Sequence, residues 1–80
     1  MYLVQSVILR RDKFTKPEAF KWIRDHDYSV RYGVDITPEY YRFRQVPPER
    51  LHGFRIRSIA LGDDGYILVA YSGPQKESRD

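Results

Sequence analysis

In two stretches of this 80-residue chain arginine alternates with apolar or aromatic residues: Arg42 and Arg44 with Tyr41 and Phe43, then Arg55 and Arg57 with Phe54 and Ile56. Guanidinium forks suit phosphate and carboxylate, and the neighbouring Tyr40 offers a ring on which a base or sugar stacks. Period-two alternation is how a half-buried strand separates a core face from a solvent face. The pattern therefore predicts guanidinium groups aimed the same way from two strands, neighbours because sequential strands usually are. Arg50, in the connection, would extend the patch. Tyr40, Arg42, Arg44, Arg50, Arg55 and Arg57 are thus the candidate binding residues. A plainer reading competes with this one, since arginines on strand exteriors often only solubilise a sheet and pair with acids, or sit in a protein interface. The charge is local: between Tyr40 and Arg57 five arginines meet one acid, Glu49, in a chain whose overall charge is only +3. Local charge is what creates a useful field.

Other chemistry finds little support. Asp25-His26-Asp27 could suggest metal ligands, but adjacent helical residues point about 100° apart and no second ligand cluster completes a site. His26 reads as a stripe residue at the core edge, and His52 as a loop residue beside Gly53. Ser6, Ser29, Ser58 and Ser72 lack the context of an activated nucleophile. Gly62-Asp63-Asp64-Gly65 is a hairpin turn rather than a phosphate loop, because no helix follows it. No catalytic residue, metal or cofactor is expected, and the chain reads as non-enzymatic.

The elements that would position the arginines are legible in outline. Leu3 to Leu9 is apolar on both parities, as in a strand covered on both faces. Thr15 and Glu18 form a capping box, with Pro17 in the first turn. Ala19, Trp22, Ile23 and His26 then make one apolar stripe, which predicts a helix from Lys16 to His26 anchored by Trp22. Asp25 and Asp27 sit at the end of that helix, where acids are disfavoured. Ser29 to Val34, Tyr40 to Val46, Phe54 to Leu61 and Tyr66 to Tyr71 read as strands. Pro47-Pro48 stops the second of these, and the Asp-Gly turn joins the last two. Pro48 to Leu51 reads as one helical turn, and Ser72 to Asp80 as a polar, disordered tail. The expectation is one α+β domain over residues 1–71, with one amphipathic helix on a mainly antiparallel sheet of about five strands in the order β-α-β-β-β-β.

A chain of this length buries only about 60% of its unfolded surface, so its stability should be modest and assembly would help it. It contains no cysteine, which excludes disulfides and thiolate zinc sites and fits a reducing compartment. Neither a secretory leader nor an apolar run of about 18 residues is present, so a protein neither secreted nor in a membrane is expected.

The frame VQSVIL, the helix carrying Ala19, Trp22 and Ile23, the Val34-Asp35-x-Thr37-Pro38 stretch and Tyr40 to Gln45 resemble a small uncharacterised domain of tailed bacteriophages and large DNA viruses. The resemblance spans Tyr2 to Tyr71, and Tyr41-Arg42-Phe43-Arg44-Gln45 is its most specific element. It implies a viral or phage-type protein without enzymatic activity, an accessory or virion-associated factor in the host cytoplasm or the virion. No residue inherits a role from it. The expected partner is another protein, viral or host, or a second copy of the chain. The alternative is a nucleic-acid-binding module using the arginine-aromatic face.

Overall fold

The computed structural model describes residues 2–47 and 53–71. Five strands and one helix follow in the order β1 (Tyr2–Arg10), α1 (Lys16–Asp25), β2 (Asp35–Ile36), β3 (Tyr40–Arg44), β4 (Arg55–Ala60) and β5 (Gly65–Tyr71). The strands form one sheet in the order β2-β3-β1-β5-β4, every neighbouring pair antiparallel. This is the α+β architecture that the sequence predicts. The helical-turn reading of Pro48 to Leu51, Arg50, His52 and the polar tail lie outside the described residues.

Strand β1 is central, and its two parities are both buried: Val7 and Leu9 on one side, Ser6 and Ile8 on the other. Val7 and Leu9 face Phe43 and Tyr41 on β3, and these join Ala19 and Ile23 of the helix in the core. A bulge between Val4 and Ser6 lets Val4 pack against the same cluster as Val7 despite their odd spacing.

The helix begins as its sequence dictates. Thr15 Oγ1 accepts from the Glu18 amide at 3.4 Å, and Glu18 Oε1 accepts from the Thr15 amide at 2.8 Å. Its C-terminus closes in a Schellman motif. The Tyr28 amide donates to the Ile23 carbonyl at 2.9 Å and the Asp27 amide to the Arg24 carbonyl at 3.1 Å, with Asp27 left-handed at φ 63°. That geometry explains the acid at Asp27, because aspartate tolerates the left-handed region better than most side chains. Asp25 is held by Lys21 Nζ at 2.6 Å, one turn back.

Two expectations need correction. Ala19 and Ile23, not Trp22, are the fully buried helix residues. Trp22 packs against the core as expected but is only half-buried, and it stacks with His26 and with Tyr28, ring centroids 3.7 and 6.2 Å away. His26 itself is exposed as the C-cap, its Nδ1 2.8 Å from the Trp22 carbonyl. Nor is Ser29 to Val34 a strand. The Gln45 amide group clamps the backbone of Ser29, accepting from its amide at 2.7 Å and donating to its carbonyl at 2.9 Å, and Gly33 closes a turn on Val30. The second strand is instead the two-residue β2.

Candidate binding surface

Register decides which side chains share a face, because directly opposed residues project from the same side of a sheet. Arg44 opposes Ser6, Arg42 opposes Ile8 and Tyr40 opposes Arg10. On β5, Leu68 opposes Ser6 and Tyr66 opposes Ile8, and on β4, Ser58 and Ala60 oppose Leu68 and Tyr66. These residues lie on the face away from the helix, since Val7, Leu9, Tyr41 and Phe43 occupy the helix side. Arg57 and Arg55 oppose Val69 and Tyr71 and therefore belong to the helix side.

The expected patch does not form. Strands β3 and β4 are not neighbours but stand on either side of β1 and β5. Tyr40, Arg42 and Arg44 come together on one face, while Arg55 and Arg57 project from the other face at the far edge. The rule that sequential strands pair fails here because β1 and β5, from opposite ends of the chain, take the two central positions.

On the open face the arginines lie along the sheet. Arg42 Nε donates to the buried Ser6 hydroxyl at 3.4 Å. Arg44 is 3.7 Å from Asp35 on β2, and its Nε is buried without a partner among the described residues. Tyr40 and Tyr66 meet edge-to-face across β1 at 5.7 Å. Leu68 is half-buried beside them. Arg55 and Arg57 are exposed, and among the described residues no acid pairs with either.

A groove of about 380 Å³ lies where the β1 end meets the β2–β3 turn, lined by Arg10, Arg11, Asp12, Pro38, Glu39 and Tyr40. Its cations are committed. Arg10 pairs with Asp12, which raises the guanidinium pKa further through a hydrogen bond and charge. Arg11 donates to the Thr37 carbonyl at 2.8 Å and lies over the Tyr41 ring. Thr37 in turn closes the β2–β3 turn through Tyr40, its hydroxyl accepting from the Tyr40 amide at 3.0 Å. Among the described residues no group of three His, Asp or Glu side chains is placed to hold a metal ion. Among them, too, no helix is long and apolar enough to cross a membrane.

Sequence reasoning missed Gln45, whose clamp on Ser29 ties the loop after the helix to the end of β3. The one signal was its place directly after the last arginine of the strand. No protein-family model, curated protein or solved structure matches the chain. Within Tyr41 to Gln45 every residue has a structural place: Tyr41 and Phe43 in the core, Arg42 and Arg44 on the open face, Gln45 in the clamp.

Proposed function

We propose that this chain is a small, non-enzymatic binding protein that acts through protein contacts on the sheet face opposite the helix, as an accessory or virion-associated factor of the kind its resemblance implies. The observation that supports this reading is the make-up of that face. Tyr40, Tyr66 and Leu68 share that face with Arg42, whose Nε donates to the Ser6 hydroxyl, and with Arg44, which lies 3.7 Å from Asp35. Tyrosine, leucine and arginine gathered on one face, with one of the two arginines beside an acid, is the composition of a protein interface. The non-enzymatic part rests on the sequence, which pairs no nucleophile with a base.

One observation favours a second reading. The Tyr40–Tyr66 pair beside Arg42 is also a platform on which bases of a single strand could stack. Salt distinguishes the two. The full chain, immobilised and exposed to extract of its source cells over a salt series, should retain a protein partner at high salt and lose it on Arg42→Glu. Retention of nucleic acid alone, released steeply as salt rises and lost on joint Arg42→Gln and Arg44→Gln substitution, would replace the first reading with the second.

A further inference from the structure

Among the described residues nothing covers the outer edge of strand β4, and we infer that it pairs with β4 of a second copy of this chain, antiparallel about a two-fold axis through Ser58. The inference concerns the edge, not the open face, and stands whether or not that face binds a partner.

The backbone supplies the first part. The Leu61 amide donates to the Gly65 carbonyl at 2.9 Å, which marks these residues as a hydrogen-bonded couple. Such couples alternate with non-bonded ones along an antiparallel ladder. The register of β4 on β5 runs unbroken from Ala60 opposite Tyr66 to Arg55 opposite Tyr71. Ile59, Arg57 and Arg55 therefore turn their amides and carbonyls inward to β5. Ile56, Ser58 and Ala60 turn theirs out from the sheet, where no described strand meets them. Every residue of β4 is exposed; Arg55 and Arg57 put charge on its helix side, but the strand has neither the proline nor the bulge with which edge strands are commonly kept apart.

Self-complementarity supplies the second part. Opposed residues must share a face, so a two-fold axis normal to the sheet passes through a residue rather than between two. Centred on Arg57, the pairing sets arginine against arginine and leaves Ala60 outside the bonded couples. Centred on Ser58, it matches Ser58 with Ser58 and Ile56 with Ala60, so that every outward backbone group of β4 is bonded. Side chains then meet without conflict: Ile56 beside Ala60 on the open face, and Arg57 beside Ile59 on the other. Ile56 and Ile59, 47% and 42% exposed in the single chain, are the apolar groups this would cover. The joint sheet also extends the open face continuously across both copies.

The arginines give the dimer a signature. Arg55 and Arg57 of both copies lie on one side of the joint sheet, and each copy carries a net charge of +3, so association should strengthen as salt rises. Phosphate binding has the opposite dependence.

Sedimentation equilibrium of the full chain should show a monomer–dimer equilibrium that shifts toward dimer with salt. Ser58→Pro removes an outward amide from each copy while sparing the inner ladder, a position where an edge strand tolerates proline. It should weaken dimerisation about tenfold or more with the circular dichroism unchanged. Where proline disturbs folding, Ser58→Lys gives the same readout by placing like charges across the axis. In a chain without cysteine, Ser58→Cys should cross-link readily to its symmetry mate through a short bifunctional thiol reagent. Arg55→Cys should not, because its mates would lie about 20 Å apart along the paired strands. A chain that stays monomeric at millimolar concentration, a dimer indifferent to both Ser58 substitutions, or equal cross-linking of the two cysteine variants would overturn the inference.

Discussion

At one edge of the sheet β2 is two residues long, holds Asp35 against Arg44 and runs directly into Thr37-Pro38; at the other, β4 presents six consecutive exposed residues. Short length and a nearby proline are means by which an edge is closed to strangers, and β4 has neither within its six residues. The two halves differ inside as well. The helix, β1 and β3 supply the buried cluster of Val7, Leu9, Ala19, Ile23, Tyr41 and Phe43, whereas β4 contributes no buried residue. Buried packing is concentrated beside the closed edge, and the proposed association lies at the open one.

Truncation should separate the halves most sharply. Phe43 is fully buried and packs edge-to-face on Phe20, with ring centroids 5.1 Å apart. Phe43→Ala should cost about 3–5 kcal/mol, enough to threaten folding, by urea unfolding of dilute protein. Ile59→Ala on β4 should cost less than about 1.5 kcal/mol under the same conditions, since its side chain is already 42% exposed. Equal losses would mean that the open edge carries as much of the fold as the closed half.

Gly65 sharpens the comparison where the halves meet. It opposes Leu9 at φ 152°, and a β-carbon there would lie 2.0 Å from the Ile8 carbonyl oxygen. Gly65→Ala should push β5, and β4 with it, away from β1, at a cost of more than about 1 kcal/mol. Its signature is loss of amide protection in β4 and β5 before β1 and β3. Uniform loss across the sheet would show the halves to be one cooperative unit.

The helix cap lies wholly on the closed side. Thr15→Ala should destabilise the protein by about 1 kcal/mol in thermal or urea unfolding, and leave dimerisation unchanged. Glu18 adds a pH dependence. The hydrogen bonds with the Thr15 backbone and side chain hold its carboxyl below the ordinary value, as the bond from Lys21 does for Asp25. A depressed folded-state pKa means that the unfolded chain binds the proton more readily, so the contribution is complete above the unfolded value. It disappears as pH falls through the folded one. The stability gap between the native chain and Glu18→Gln should accordingly narrow on acidification through the carboxylate range. A gap that widened would assign the carboxylate the wrong role.

The smallest effect is a gain. Asp27 is left-handed and adds negative charge at a helix C-terminus, so Asp27→Gly should stabilise the chain by about 0.5–1 kcal/mol. A loss in unfolding experiments would show that the aspartate side chain has a compensating partner.

What could be read from the sequence was what is local. Thr15 and Glu18 lie three residues apart and meet whatever the rest of the chain does, so cap and helix were legible. Alternation correctly separated the core residues Tyr41 and Phe43 from Arg42 and Arg44. It could not say which strands adjoin, because parity within a strand is silent on sheet order. That is why Arg42 and Arg44 were expected beside Arg55 and Arg57 and are found on another face. The helix stripe was legible but not its depth, because Trp22 flanks the centre that Ala19 and Ile23 occupy. Ser29 to Val34 reads as a strand in isolation, and only the distant Gln45 makes it a clamped loop. The free edge at β4 followed from none of these local patterns, since it depends on β5 pairing with both β1 and β4.

Amide hydrogen exchange of the native chain, followed residue by residue over a concentration series, tests the open edge most directly. Arg57 and Ile59, bonded inward to β5, should be protected at every concentration. Ile56, Ser58 and Ala60 should exchange rapidly in dilute solution and become protected together as concentration rises. If the three outward amides stay fast at concentrations where the chain is dimeric, the edge is not the interface and the account of β4 is wrong.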